Sequence, residues 1–162
     1  MPFDDVLAAN TAYVERFDRG GLSGHAARGL AVLTCMDTRI DPLAMLGLVP
    51  GDAKILRNAG ARVTDDVIRT LVLAHYLLDV ERAMVVAHTN CRMAGGTEDD
   101  VHAAIAAGGG PDTRALRFET TTDQLSTLRE DVQRLRSSPY LGGLEVGGFL
   151  YDVETGRVEQ LV

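Results

Sequence analysis

Cysteine is scarce in this chain: Cys35 and Cys91 are the only two among 162 residues. Two cysteines cannot build the framework of several bridges that staples small secreted domains, so a reducing compartment is expected. Cations are also short, with 16 Lys and Arg against 23 Asp and Glu and a formal net charge of −7. That balance argues against a nucleic-acid or anionic-membrane surface, because phosphate groups are bound by clustered Lys and Arg. No apolar run approaches the roughly 20 residues of a membrane-spanning helix. The opening Met1-Pro2-Phe3-Asp4-Asp5 lacks the basic start and apolar stretch of a secretion signal. Together these absences predict a cytoplasmic protein. What is present is ordinary for a globular chain: 46% hydrophobic and 24% charged residues. The length suits one compact domain with a sizeable core.

The hydrophobic pattern alternates between strands and helices. Asp4 to Phe17 is predicted as an N-terminal helix, followed by a Gly-rich stretch to Gly29. Leu30-Ala31-Val32-Leu33-Thr34 is a continuous apolar strand, as a parallel sheet covered on both faces requires. Asp41 to Leu48 reads as a short helix, with Pro42 in its first turn. Ala53 to Arg57 is a second strand, ending in Asn58-Ala59-Gly60. Thr64 caps a helix that buries Val67, Leu71, Ala74 and Leu78. Ala83 to Ala87 is a third strand, and a short helix runs from Thr97 to about Ala107. Thr121-Thr122-Asp123-Gln124 reads as a capping box ahead of a helix with Leu125, Leu128, Val132 and Leu135 as its buried stripe. Gly148 to Val153 and Arg157 to Val162 flank a turn and form a hairpin. The expected fold is a single α/β domain over residues 1–162. An N-terminal helix and loop over 1–29 precede a core over 30–162. Its mostly parallel sheet is flanked by helices on both faces and closed by an antiparallel C-terminal edge.

Both cysteines fall just past predicted strands, within Cys35-Met36-Asp37-Thr38-Arg39 and His88-Thr89-Asn90-Cys91. In open α/β sheets, ligands gather at the carboxyl ends of strands, so neighbouring strands would bring Cys35, His88 and Cys91 together. Two thiolates and an imidazole suit zinc, and three protein ligands leave a fourth position for water. If the extended conformation persists past Cys35, Asp37 and Arg39 share its face. Either half alone is weak; spacing leaves open a buried cysteine pair beside a satisfied core histidine.

Taken together, Cys35-x-Asp37-x-Arg39, Arg57-Asn58-Ala59-Gly60, Thr64-Asp65-Asp66-x-x-Arg69 and His88-x-x-Cys91 resemble the β-class carbonic anhydrases, in order and in spacing. The ending Gly148-Phe149-Leu150-Tyr151-Asp152-Val153-x-Thr155-Gly156 is also similar. The resemblance implies one zinc ion per chain on Cys35, His88 and Cys91, with Asp37 and Arg39 as the catalytic dyad. It implies reversible hydration of carbon dioxide to bicarbonate by zinc-bound hydroxide, and a homodimer or higher even oligomer. In that assembly the N-terminal helix embraces a partner through Phe3, Val6, Leu7, Tyr13, Val14 and Phe17. The absence of tryptophan removes a residue of the bicarbonate-regulated subgroup and favours a site in which Asp37 stays off the metal.

The chain departs from the family's usual His-Thr-Asp-Cys-Gly-Met at Asn90 and Arg92. Arg92 is expected to be an exposed cation that contacts a neighbouring helix or subunit. His25, His75 and His102 carry imidazoles that titrate in the range of a proton shuttle. His75 is expected to be packed, and His25 is the better shuttle candidate, with plain surface decoration the expected default for it. Two other functions stay open. One is a related zinc hydrolase acting on carbonyl sulfide or carbon disulfide. The other is a non-catalytic zinc-binding paralogue, against which the intact Asp37–Arg39 pair argues.

Overall fold

The computed structural model describes residues 1–162. Its centre is strand β1 (Leu30–Cys35), in which every residue is buried. On one side β1 pairs in parallel with β2 (Ala53–Asn58), and on the other with β3 (Arg82–His88). Strand β4 (Glu145–Tyr151) adds in parallel to β3, and the short β5 (Val158–Gln160) closes the edge antiparallel to β4. The resulting order is β2-β1-β3-β4-β5. The chain therefore leaves β1 in one direction and β3 in the other. That reversal opens a crevice at the carboxyl ends of these two strands.

The helices differ from one another in how far their faces are used. Helix α1 (Asp4–Val14) stops short of the predicted Phe17 and buries none of its residues. Helix α2 (Asp65–Leu77) starts where Thr64 Oγ1 accepts the Val67 amide, with Asp65 and Asp66 complementing the helix dipole. It buries Val67, Leu71 and Ala74, three of the four residues expected there. Helix α3 (Glu98–Ala107) carries a reciprocal capping box between Thr97 and Asp100. Helix α4 (Gln124–Arg136) buries Leu128, Val132 and Leu135, while Leu125 stays exposed. The cap of α4 corrects the sequence reading: Asp123 accepts the Ser126 amide, and Thr121 instead bonds the Thr127 hydroxyl. Aspartate is at least as good an N-cap as threonine, which displaces the start of the helix by two residues.

Two apolar clusters flank the sheet. Helices α2 and α4 cover one face through Val67, Leu71, Val132 and Leu135 against Ala31, Leu33, Ala83 and Val85. The other face, with Val32 and Val86, is covered by Ile40, Leu43 and Leu48 and not by a full helix. The helix predicted over 41–48 is a single 3₁₀ turn, Ala44–Leu46. Asp41 Oδ1 accepts the Leu43 and Ala44 amides, and Gly47 at φ +63° ends the turn at once. No helix is long and apolar enough to cross a membrane.

Candidate metal centre

Strand register places the cluster. Thr34 lies opposite Val86, so Cys35, one residue on, ends level with the carboxyl end of β3, where His88 is the last residue. A turn after His88 then brings back Cys91, because Asn90 adopts a left-handed conformation at φ +54°. Asparagine tolerates that region better than most side chains. One ligand atom from each of Cys35, His88 and Cys91 lies within 4.8 Å of the others, and all three residues are buried.

The donor chemistry fits a soft divalent metal. His88 Nδ1 lies 2.9 Å from the Thr89 carbonyl, which assigns its proton to Nδ1. That leaves Nε2 as the lone-pair nitrogen, and it is buried without a hydrogen-bond partner. A buried polar atom without a partner is costly, and a metal ion at the cluster would satisfy it. Neither cysteine is in a disulfide. The Cys35 thiol is pulled down to about 3, chiefly by the Cys91 side chain beside it; burial opposes this, and His88 and the Gly60 and Asp37 amides add to it. The same contact, together with burial, pushes Cys91 up.

Asp37 and Arg39 form a compact pair beside this cluster, by a route the sequence reading did not anticipate. The strand ends at Cys35, and Asp37 opens a turn in which its carbonyl accepts the Ile40 amide at 3.1 Å. Asp37 Oδ1 accepts both the Arg39 amide and Arg39 Nε at 2.9 Å, and Oδ2 accepts Nη2 at 2.7 Å. A polar turn replaces the extended segment because the aspartate side chain bonds the backbone two residues on. These bonds hold the Asp37 carboxyl well below the usual carboxylate range, with the Arg39 side chain the largest cause and its amide the next. Arg39 is in turn raised by Asp37. Its Nη2 also reaches the Asn90 carbonyl at 3.1 Å, tying the two ligand-bearing loops together. The Asp37 carboxylate faces Arg39 and is not part of the metal-ligating group.

Other side chains brace this arrangement. Arg57 donates from Nε to the Cys35 carbonyl at 3.0 Å and from Nη2 to the Asp37 carbonyl at 2.7 Å. Gln124, the first residue of α4, donates to the His88 carbonyl at 3.1 Å. Sequence reasoning missed both, since neither contact follows from periodicity. Arg92 is exposed, as expected, and makes no ion pair within the chain. Asp66 and Arg69 pair with each other at 2.7 Å. His75 is packed between the Val80 and Gly142 carbonyls. His25 precedes β1 at the amino ends of the strands and forms an exposed pair with Asp79 at 2.7 Å, the surface role expected as its default. The whole length of β1, on the order of 20 Å at a strand's rise per residue, separates it from the cluster, so it is not placed to shuttle protons there.

Next to the cluster lies a buried ion pair that no local pattern announces. Arg62 Nε donates to Asp131 Oδ2 at 2.7 Å, and Nη1 to the Glu119 carbonyl at 2.6 Å. Replacing Asp131 with alanine leaves the half-buried Arg62 cation with only the Glu119 carboxylate, at 3.9 Å, as an acidic partner. The expected cost is about 3–5 kcal/mol, read as a lowered midpoint in urea denaturation. A loss below 1 kcal/mol would mean that Arg62 finds water or Glu119 instead.

Comparison with known proteins agrees with this geometry. The family model described as carbonic anhydrase matches residues 30–109. Beta-carbonic anhydrase 1 of Mycobacterium tuberculosis is 34% identical, over 98% of this chain and 96% of that protein. A carbon disulfide hydrolase of Acidithiobacillus thiooxidans is 35% identical, over 91% of this chain and 82% of that one. The crystal structure of a carbonic anhydrase from Streptococcus mutans superposes with a TM-score of 0.92 at 37% identity, covering 100% of this chain and 98% of that one. The mostly parallel α/β sheet carries a Cys-His-Cys cluster of metal-ligating side chains at its switch point. This chain belongs to the β-carbonic anhydrase family.

Proposed function

We propose that this protein interconverts carbon dioxide and bicarbonate, using a zinc ion held by Cys35, His88 and Cys91. The observation that carries the reading is that His88, whose buried Nε2 has no hydrogen-bond partner, places a ring nitrogen within 4.8 Å of two cysteine sulfurs. Zinc bound by two thiolates and an imidazole supplies a Lewis acid that acidifies a bound water towards neutral pH. The chain's own contribution is orientation. Asp37 Oδ1 is occupied by two Arg39 donors, whereas Oδ2 accepts only one. A carboxylate oxygen has two lone-pair sites, so Oδ2 keeps one free to accept a hydrogen bond from the attacking water. Arg39 holds Asp37 as an anion and keeps it turned away from the metal, which gives an open site. The Asn90 carbonyl and Arg57 keep both loops in register while this happens.

A related reading has a specific observation behind it: the 35% identity to a carbon disulfide hydrolase. The near-complete mutual coverage with the mycobacterial carbonic anhydrase, 98% and 96%, favours carbon dioxide. Turnover of the zinc-loaded protein on carbon dioxide, carbonyl sulfide and carbon disulfide discriminates between them. Carbon dioxide is expected to be the best substrate by a wide margin. A higher kcat/KM on either sulfur compound would reverse the assignment.

We further read the protein as a cytoplasmic homodimer or higher even oligomer. Two cysteines kept free of a disulfide suit a reducing compartment. Helix α1 buries nothing within its own chain, and Phe3 is 68% exposed, with Val6, Leu7, Tyr13, Val14 and Phe17 also open. An apolar helix of this kind needs a second surface, and another copy of the chain supplies it. Removing residues 1–17 is expected to convert the assembly to monomers in sedimentation velocity and to lower its melting temperature. A truncated chain that still sediments as a full dimer would remove α1 from the interface.

A further inference from the structure

The loop after β2 touches the candidate metal ligands through its backbone. The Gly60 amide donates to Cys35 Sγ at 3.3 Å. Gly60 sits at φ +82°, and a Cβ there would lie 3.1 Å from Met93 Cβ, in the turn that follows Cys91. Only glycine meets both conditions without strain. Ala61, the next residue, is also left-handed at φ +57° and buried, so the loop does not hold its shape by intrinsic preference.

Asn58 holds it instead. Its Oδ1 accepts the Arg62 amide at 2.8 Å, and its Nδ2 donates to the Arg62 carbonyl at 2.7 Å. One side chain thereby closes the segment 58–62 on itself, with both amide groups used. The Arg62 side chain then anchors the far end of the loop to Asp131 of α4 and to the Glu119 carbonyl. The near end is anchored by register, since Asn58 lies directly opposite Cys35 in the sheet.

We propose that Asn58 is a positioning residue for the metal centre: by clamping residues 58–62 it aims the Gly60 amide at the Cys35 sulfur and sets how strongly that thiolate donates to the metal. This rests on the reading that Cys35 is a zinc ligand. An amide dipole on a thiolate draws charge from the sulfur, so the metal keeps more of its Lewis acidity than two unmodified thiolates would leave it. Aspartate at position 58 keeps the acceptor for the Arg62 amide but loses the donor to the Arg62 carbonyl, whereas alanine loses both.

The test uses the full-length protein loaded with cobalt(II), together with zinc affinity measured by chelator competition. In Asn58→Ala the sulfur-to-cobalt charge-transfer band is expected to move to longer wavelength as the sulfur keeps the charge the amide drew, and zinc affinity to fall about tenfold because the loosened loop no longer orients the site. Asn58→Asp is expected to fall between Asn58→Ala and the unaltered protein in both readouts. Val146→Ala, a core change near the amino end of β4, is expected to lower stability and leave band and affinity unchanged. Wild-type band position and affinity in both Asn58 variants would overturn the proposal while leaving the metal site intact. Absence of any thiolate-to-cobalt band in the unaltered protein would overturn the metal reading itself, and the proposal with it.

Discussion

His88→Ala is expected to abolish zinc binding at micromolar metal and to reduce carbon dioxide hydration to the buffer rate. The argument is one of ligand count. Two buried sulfurs remain, but the only nitrogen of the set is gone, and the alanine leaves a void in its place. Stability should move in two opposing ways. The variant loses an orphaned buried nitrogen, which favours it slightly in the metal-free state. It also loses the stabilisation that metal binding confers on the folded state, about 2.7 kcal/mol when free zinc is 100 times Kd. Melting curves with and without zinc separate the two: the unaltered protein should gain several degrees on adding zinc, and His88→Ala should gain none. A zinc-dependent shift retained in His88→Ala would place the metal elsewhere.

Asp37→Ala is expected to lower kcat/KM roughly 10²–10⁴-fold, the range for loss of a positioned proton-accepting group. One zinc per chain should be retained. Retention matters, because Asp37 belongs to Arg39 rather than to the ligand cluster. Metal analysis of the purified variant beside its kinetics therefore distinguishes four accounts. Zinc retained with activity lost supports the dyad. Zinc lost would make Asp37 a ligand, and a site of that kind would be closed. A rate unchanged and above buffer would remove Asp37 from the reaction, whereas a buffer-level rate in both proteins would favour a non-catalytic zinc-binding protein.

Much of this architecture is legible in the residues, and the boundary of legibility has a physical cause. Leu30 to Thr34 reads as a strand because a strand buried on both faces is nearly continuously apolar, and every residue of β1 is buried. Cys35, His88 and Cys91 read as neighbours because each follows such a strand, and parallel pairing brings strand ends together. What stays hidden is the polar geometry of turns and of long-range pairs. The sequence suggests that extended backbone aligns Asp37 with Arg39. In the fold the aspartate captures the Arg39 amide and bends the chain. The Arg62–Asp131 bond joins residues 69 positions apart, and only tertiary packing makes it visible. The N-cap of α4 differs from the sequence expectation for a related reason, since Thr121 and Asp123 are both competent caps and their surroundings choose between them. Even the placement of His25 follows from topology and not from composition: a residue just before β1 lies at the wrong end of a parallel sheet.

The central claim is that the Cys35, His88 and Cys91 cluster, once it holds zinc, hydrates carbon dioxide. Stopped-flow measurement of that hydration at mildly alkaline pH, on protein with one zinc per chain and on the same protein after chelation, tests it most directly. Rapid hydration that disappears on chelation and returns with zinc is the predicted result. A rate no faster than buffer, with zinc confirmed bound, would contradict it.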